Sequence, residues 1–122
     1  MTTIPIVGKR PICCFDIESS RPKGTPKLQR PDPGRDRIVS LAILKLTPGD
    51  LLREATEETF RELFYPGFAE QAPHLIEIHG IADAELAGKP LFRDRARDVH
   101  EFIKGCDLIG YNLLNYDVPL LW

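Results

Sequence analysis

The apolar run Ile12-Cys13-Cys14-Phe15 leads directly into Asp16-Ile17-Glu18, and no other stretch constrains the fold as tightly. Such a run reads as a buried strand over residues 12–17. Buried strands seldom end in two acids, because buried charge without a partner is costly. Strand side chains alternate, so Asp16 and Glu18 face the same way. Two carboxylates on one face repel unless a proton or a cation lies between them. A hard divalent ion such as Mg²⁺ or Mn²⁺, which prefers oxygen ligands, resolves that repulsion. A strand end with two solvated acids is the plainer resolution.

Further along, strand and helix signals alternate. Residues 19–37 hold Pro22, Gly24, Pro26, Pro31, Pro33 and Gly34, too many breakers for a helix or a central strand. Basic residues are interspersed there: Arg21, Lys23, Lys27, Arg30, Arg35 and Arg37. The segment reads as a solvated linker, or as a basic lip beside the carboxylates that could touch phosphates. Residues 38–46 form a second, strongly apolar strand, and Pro48-Gly49-Asp50 a turn. Residues 51–63 lean helical by propensity, yet 58–65 alternate and stop at Pro66-Gly67, which points to a hairpin partner for the second strand. Residues 69–78 read as loop. Phe92, Ala96, Val99 and Ile103 recur at helical spacing within 91–104, with Gly105 as the stop. A packing or surface role is expected for His100 on that helix. A short strand over 107–111, a turn over 112–117 and the opening of a helix with Pro119 in its first turn complete the order.

A length of 122 residues fits one domain. Its apolar share of 43% and charged share of 28% are those of an ordinary globular protein. A net charge of −2 means that nucleic-acid binding would need a local basic patch. Three cysteines are an odd count, and Cys13 and Cys14 point to opposite faces of a strand, so they read as small apolar residues in a reducing cytoplasm. No apolar stretch is long enough to span a membrane, and no signal-peptide core opens the chain; a cytoplasmic protein with no membrane partner is expected.

The order of strand, acidic pair, hairpin, helix, strand and acid resembles the DEDD (DnaQ-like) 3′→5′ exonucleases. Phe15-Asp16-Ile17-Glu18-Ser19 resembles that family's first motif, Phe-Asp-x-Glu-Thr. Asp36-Arg37-Ile38-Val39-Ser40-Leu41-Ala42 resembles the opening of its second strand, and His79-Gly80-Ile81 its His-Gly-Ile-Thr stretch. Leu108-Ile109-Gly110-Tyr111-Asn112, followed by Tyr116-Asp117-Val118, resembles its second motif, Gly-His-Asn and then Phe-Asp. The likeness runs over residues 12–121.

The resemblance implies an α/β, RNase H-like mixed sheet, an antiparallel hairpin plus parallel strands, with flanking helices. It implies two Mg²⁺ or Mn²⁺ ions held by Asp16, Glu18 and Asp117, which would be catalytic. Asp16 would bridge the metals, Glu18 would hold the nucleophile-side ion, and Asp117 would reach the other. Ile17, the Ser19 backbone and Asn112 would seat the terminal nucleotide. The implied partner is a single-stranded DNA or RNA 3′ end, together with a polymerase or a completing chain. Ser19 and Tyr111 stand where the family usually has Thr and His.

The family's third motif, a His shortly before a final Asp, has no counterpart after Asp117; His74, His79 and His100 all precede the second motif. The expected fold therefore lacks the C-terminal strand and helix. The expectation is a single partial exonuclease domain over 1–122, with apolar surface on the sheet and on the 118–122 stub left exposed. A non-catalytic nucleic-acid- or partner-binding module on the same scaffold is the alternative.

Overall fold

The computed structural model describes residues 10–27, 32–110 and 118–121. Four strands form one sheet: β1 (Ile12–Ser20), β2 (Arg37–Thr47), β3 (Thr56–Leu63) and β4 (Asp107–Ile109), in the order β3-β2-β1-β4. β1 and β3 both run antiparallel to β2, while β4 runs parallel to β1. The helices are α1 (Pro73–His79), α2 (Asp83–Leu86), α3 (Phe92–Ile103) and α4 (Val118–Leu121). None of the described helices is long and apolar enough to cross a membrane.

The hairpin β2–β3 prevails over the helical propensity of 51–63 because its turn is chemically fixed. Asp50 Oδ1 accepts the N–H groups of Leu52 and Arg53, each at 2.8 Å, and the Asp50 N–H donates to Arg53 O at 2.8 Å. This is an Asx turn, a device that competes with helix. Gly49 is required there: a Cβ would lie 2.6 Å from both Ala55 N and Arg53 O.

One sheet face carries the core. Cys13, Leu41 and Ile43 are fully buried there, and Phe15, Ile17, Phe60 and Leu108 pack against them. α3 covers this face through Val99 and Ile103, which follow the apolar spacing seen in the sequence. Phe102 meets Phe60 with ring centroids 5.8 Å apart, and Phe92 meets Phe64 edge-on at 5.3 Å. Lys45 donates to Phe102 O at 2.9 Å and lies over the same ring, pinning β2 to the end of α3. His100 Nε2 donates to Leu121 O at 3.1 Å and so ties α3 to α4, the packing role expected of it.

The other face is largely open. Leu44, Leu46 and Ile109 are 37%, 36% and 53% exposed there, the apolar surface anticipated from the sequence. Between Glu18 and Ser19 the pairing skips a residue, from Glu18–Ser40 to Ser19–Ile38. The bulge places Val39 out of register and lets Ile38 turn into the core beside Leu41.

Several boundaries differ from the expected ones. β1 continues past Ile17 to Ser20, and the segment after it, largely exposed among its described residues, is anchored at buried Arg21 and Asp36. Arg21 is buried and grips Asp36 with two bonds, Nε to Oδ1 at 2.6 Å and an Nη to Oδ2 at 3.3 Å. Residues 69–78, read as loop, contain most of α1. It begins at Pro73 and ends at Gly80, whose left-handed φ of 71° lets its N–H reach Ile76 O. The expected turn over 112–117 lies outside the described residues, as does Tyr111 of the expected last strand.

Candidate active site

Asp16 and Glu18 project from β1 onto the open face of the sheet, two residues apart and hence about 7 Å along the strand. β1 is a central strand, hydrogen-bonded to β2 on one side and β4 on the other, so the pair stands on a rigid support. Opposite them on β2 are small residues: Asp16 pairs with Ala42 and Glu18 with Ser40. On β3, Arg61 pairs with Ala42 and Leu63 with Ser40. The small side chains leave a groove. One cavity of about 380 Å³ is bounded by Asp16, Ser40, Ala42, Arg61 and Leu63. A second, of about 300 Å³, adjoins it past Cys14, Leu44 and Thr59.

The electrostatics agree with the geometry. Asp16 is exposed and Glu18 half-buried. Burial raises the Glu18 pKa above the ordinary glutamate value, and the Asp16 charge raises it further. The two carboxylates therefore feel each other, and Glu18 is held in a state that a proton or cation would relieve. Oxygen donors on one open face suit a hard divalent ion. Among the described residues no group of three or more His, Cys, Asp or Glu side chains could hold a metal ion.

The remaining residues named from the sequence are distributed unevenly. The Ile17 side chain turns to the opposite face and packs against the core, away from the carboxylates. Ser19 stands at the bulge directly after Glu18. Asn112 and Asp117 lie outside the described residues. α4, the helix that follows Asp117 in the chain, is anchored by Leu120 and Leu121, which are buried in the core rather than exposed as expected of this stub.

Described cations of the segment after β1 pair with acids, mostly at the exposed surface. Besides the buried Arg21–Asp36 pair, Lys23 approaches Glu70 at 3.5 Å and Arg35 approaches Asp32 at 3.5 Å. The segment is also stitched to the stretch before α1: the Lys23 N–H donates to Glu70 O, and the Ala72 N–H donates to Arg21 O. The His79-Gly80-Ile81 stretch is structural in the same way. His79 Nδ1 accepts the Ile81 N–H at 3.0 Å, while Gln71 Nε2 donates to Ile81 O at 3.0 Å. Burial lowers the His79 pKa, which suits this neutral acceptor role.

Arg61 drew no attention in the sequence. Its place beside Asp16 depends on the register of two strand pairs, and the alternation of β3 alone indicates only which residues share a face.

The family model RNase_T, described as Exonuclease, matches residues 14–121. The chain belongs to the RNase_T exonuclease family. DNA polymerase III subunit epsilon of Haemophilus influenzae is 42% identical to it over 40 residues, which take in 33% of this chain and 16% of that relative. Among solved structures, a full-length 3′-exonuclease aligns with a TM-score of 0.63 at 16% identity, over 92% of this chain and 52% of the other. Exonuclease X in complex with 5′ overhanging duplex DNA aligns with a TM-score of 0.58 at 20% identity, over 91% of this chain and 54% of the other. A 3′-exonuclease with 3′-end specific recognition of histone mRNA stem-loop gives 0.55 at 18% identity, over 79% and 40%. This RNase_T-family chain thus spans about half, or less, of the length of the exonucleases it matches. What it shares with the solved structures is the RNase H-like mixed sheet, as expected from the sequence.

Proposed function

We propose that the chain is a metal-dependent 3′→5′ exonuclease domain acting on single-stranded nucleic-acid ends. The observation that carries this reading is the Asp16–Glu18 pair. Its oxygens share one open face, its charges are coupled, and it lies within the residues matched to the exonuclease family. Asp16, Glu18 and Asp117 are the residues that would hold Mg²⁺ or Mn²⁺. Such ions, when bound, acidify an attacking water and stabilise the departing 3′ oxygen. The chain's own residues supply the rest. β1 fixes the two carboxylates at a set spacing, Ala42 and Ser40 keep the groove beside them open, and Ser19, the Ile17 backbone and Asn112 seat the terminal nucleotide. A polymerase, or a chain that completes the domain, is the protein partner in this reading; the epsilon-subunit match supports the former.

A second reading, nucleic-acid or partner binding without cleavage, draws on one observation: among the described residues no three His, Cys, Asp or Glu side chains form a group that could hold a metal ion. One experiment separates the two. The protein is titrated with Mg²⁺ or Mn²⁺ while the melting temperature and the release of nucleotide from a 3′-labelled single strand are followed, with Asp16→Ala/Glu18→Ala as control. Stabilisation and release, both lost in the double variant, are expected for the exonuclease. Stabilisation without release supports the binding module. Indifference of the wild-type protein to either metal would defeat the metal-site reading.

A further inference from the structure

Asp16, Ala42 and Arg61 form one row across β1, β2 and β3, because Asp16 pairs with Ala42 and Ala42 with Arg61. Paired positions lie on the same face, so carboxylate, methyl and guanidinium stand side by side on the open side of the sheet. Two strand spacings, roughly 10 Å, separate the Asp16 and Arg61 backbones. The interval is open because alanine fills it, and both charged residues line the same two cavities of about 380 and 300 Å³.

Arg61 is exposed and makes no ion pair or hydrogen bond among the described residues. Neighbouring cations do otherwise. Arg95, on α3, is tied to Glu62 and Asp98, and Lys45 to Glu58 and the Phe102 carbonyl. An exposed arginine on an edge strand ordinarily serves only to discourage edge pairing. This one shares a groove with a carboxylate and is held apart from it by a methyl group. It is therefore set back from the carboxylate by two strand spacings, within reach of a neighbouring phosphate for a side chain of its length, with its donors uncommitted. A guanidinium presents paired N–H groups that match two oxygens of a phosphate.

We infer that Arg61 is a substrate-binding residue, holding the phosphodiester next to the one presented at Asp16 and Glu18, on the side away from the 3′ end. The inference rests on the exonuclease reading of the carboxylate pair and deepens it. The open row gives the strand its direction, with the 3′ end over β1 and the preceding linkage over β3.

The test is binding of a 5′-labelled single strand in Ca²⁺, which keeps the strand intact, across a range of salt concentrations. Arg61→Ala should weaken binding roughly tenfold and reduce the salt slope by roughly 0.7, the value of one phosphate contact on a single strand. Arg61→Lys should restore the slope, which also reports that the edge strand has folded. Strands carrying one uncharged methylphosphonate at successive positions locate the contact. In the wild-type protein, neutralising the second linkage from the 3′ end should cost as much as Arg61→Ala, and the two losses should not add. Unchanged affinity in Arg61→Ala, or additive losses at every position, would overturn the inference. Asp16→Ala/Glu18→Ala isolates the underlying reading: if that variant keeps its divalent-dependent binding, the carboxylate site is wrong. If it loses that binding while Arg61→Ala binds normally, the site stands and the Arg61 contact is wrong.

Discussion

Glu18 bears the electrostatic strain of the site. Its pKa is raised by burial and by Asp16, so the fold favours its protonated form. A carboxyl raised in this way contributes stability that is complete below the ordinary glutamate range and is lost as pH rises through the raised value. At neutral pH, without metal, the ionised pair should therefore destabilise the protein. Glu18→Gln should melt at a higher temperature than the wild type at pH 7 in EDTA. The difference should close as pH falls below the ordinary glutamate range, where Glu18 is protonated, and the divalent-ion response should shrink. A difference independent of pH would show that the effect is one of packing. The adjacent cysteines show how sharply alternation divides neighbours. Cys13, buried and hydrogen-bonded to Cys106, has its thiol pushed up to about 12, whereas Cys14 lines the groove with Asp16.

At the scale of elements, local chemistry decides where propensity is ambiguous. Residues 51–63 could have been helix, but the Asp50 turn is followed by a strand only over Thr56–Leu63. Gly49→Ala tests this: with a Cβ about to fall on Ala55 N and Arg53 O, the turn must open. A loss of at least ~1 kcal/mol is expected from such a backbone clash, read as a lower urea midpoint with little change in slope. A neutral result would show that the hairpin is held by β2–β3 pairing rather than by its turn. α1 and α2 were illegible for the opposite reason. They have seven and four residues, too few for helical periodicity to register. Contacts from elsewhere hold their ends, such as the Arg21 carbonyl at Ala72 and the Asp83 carboxylate at the Gln71 N–H.

At the scale of the whole molecule, the Arg21–Asp36 pair closes the long excursion between β1 and β2. Both side chains are almost wholly buried, at 9% and 2% exposure, so neither charge has water to fall back on. Arg21→Met should cost about 3–5 kcal/mol, because it removes the guanidinium that balances a buried carboxylate. Arg21→Met/Asp36→Leu should recover much of that loss. Thermal or urea unfolding reads both, and equal destabilisation by the two variants would show that the pair is needed for more than charge balance. The same scale explains the open face. α3 covers one side of the sheet, and Leu44, Leu46 and Ile109 remain exposed on the other, where Leu44 lines the groove beside Asp16.

The sequence by itself determined the signals that lie within a few residues of one another. Alternation put Asp16 and Glu18 on one face, 3.6-residue spacing placed α3, and Pro48-Gly49-Asp50 marked the hairpin turn. The order of these signals, with the family's short motifs, was enough for the RNase H-like sheet and the exonuclease likeness. Tertiary structure decided what depends on pairing between distant segments. Arg21 reads as one more basic loop residue until Asp36 folds over it. Ile17, between two acids, shows nothing of which way its side chain packs until it meets the core. Arg61 reads as an ordinary strand residue until two registers, β1 on β2 and β2 on β3, bring it level with Asp16. The physical reason is the same in each case: burial and register are set by partners far away in the chain, and local periodicity carries no information about which partner that is.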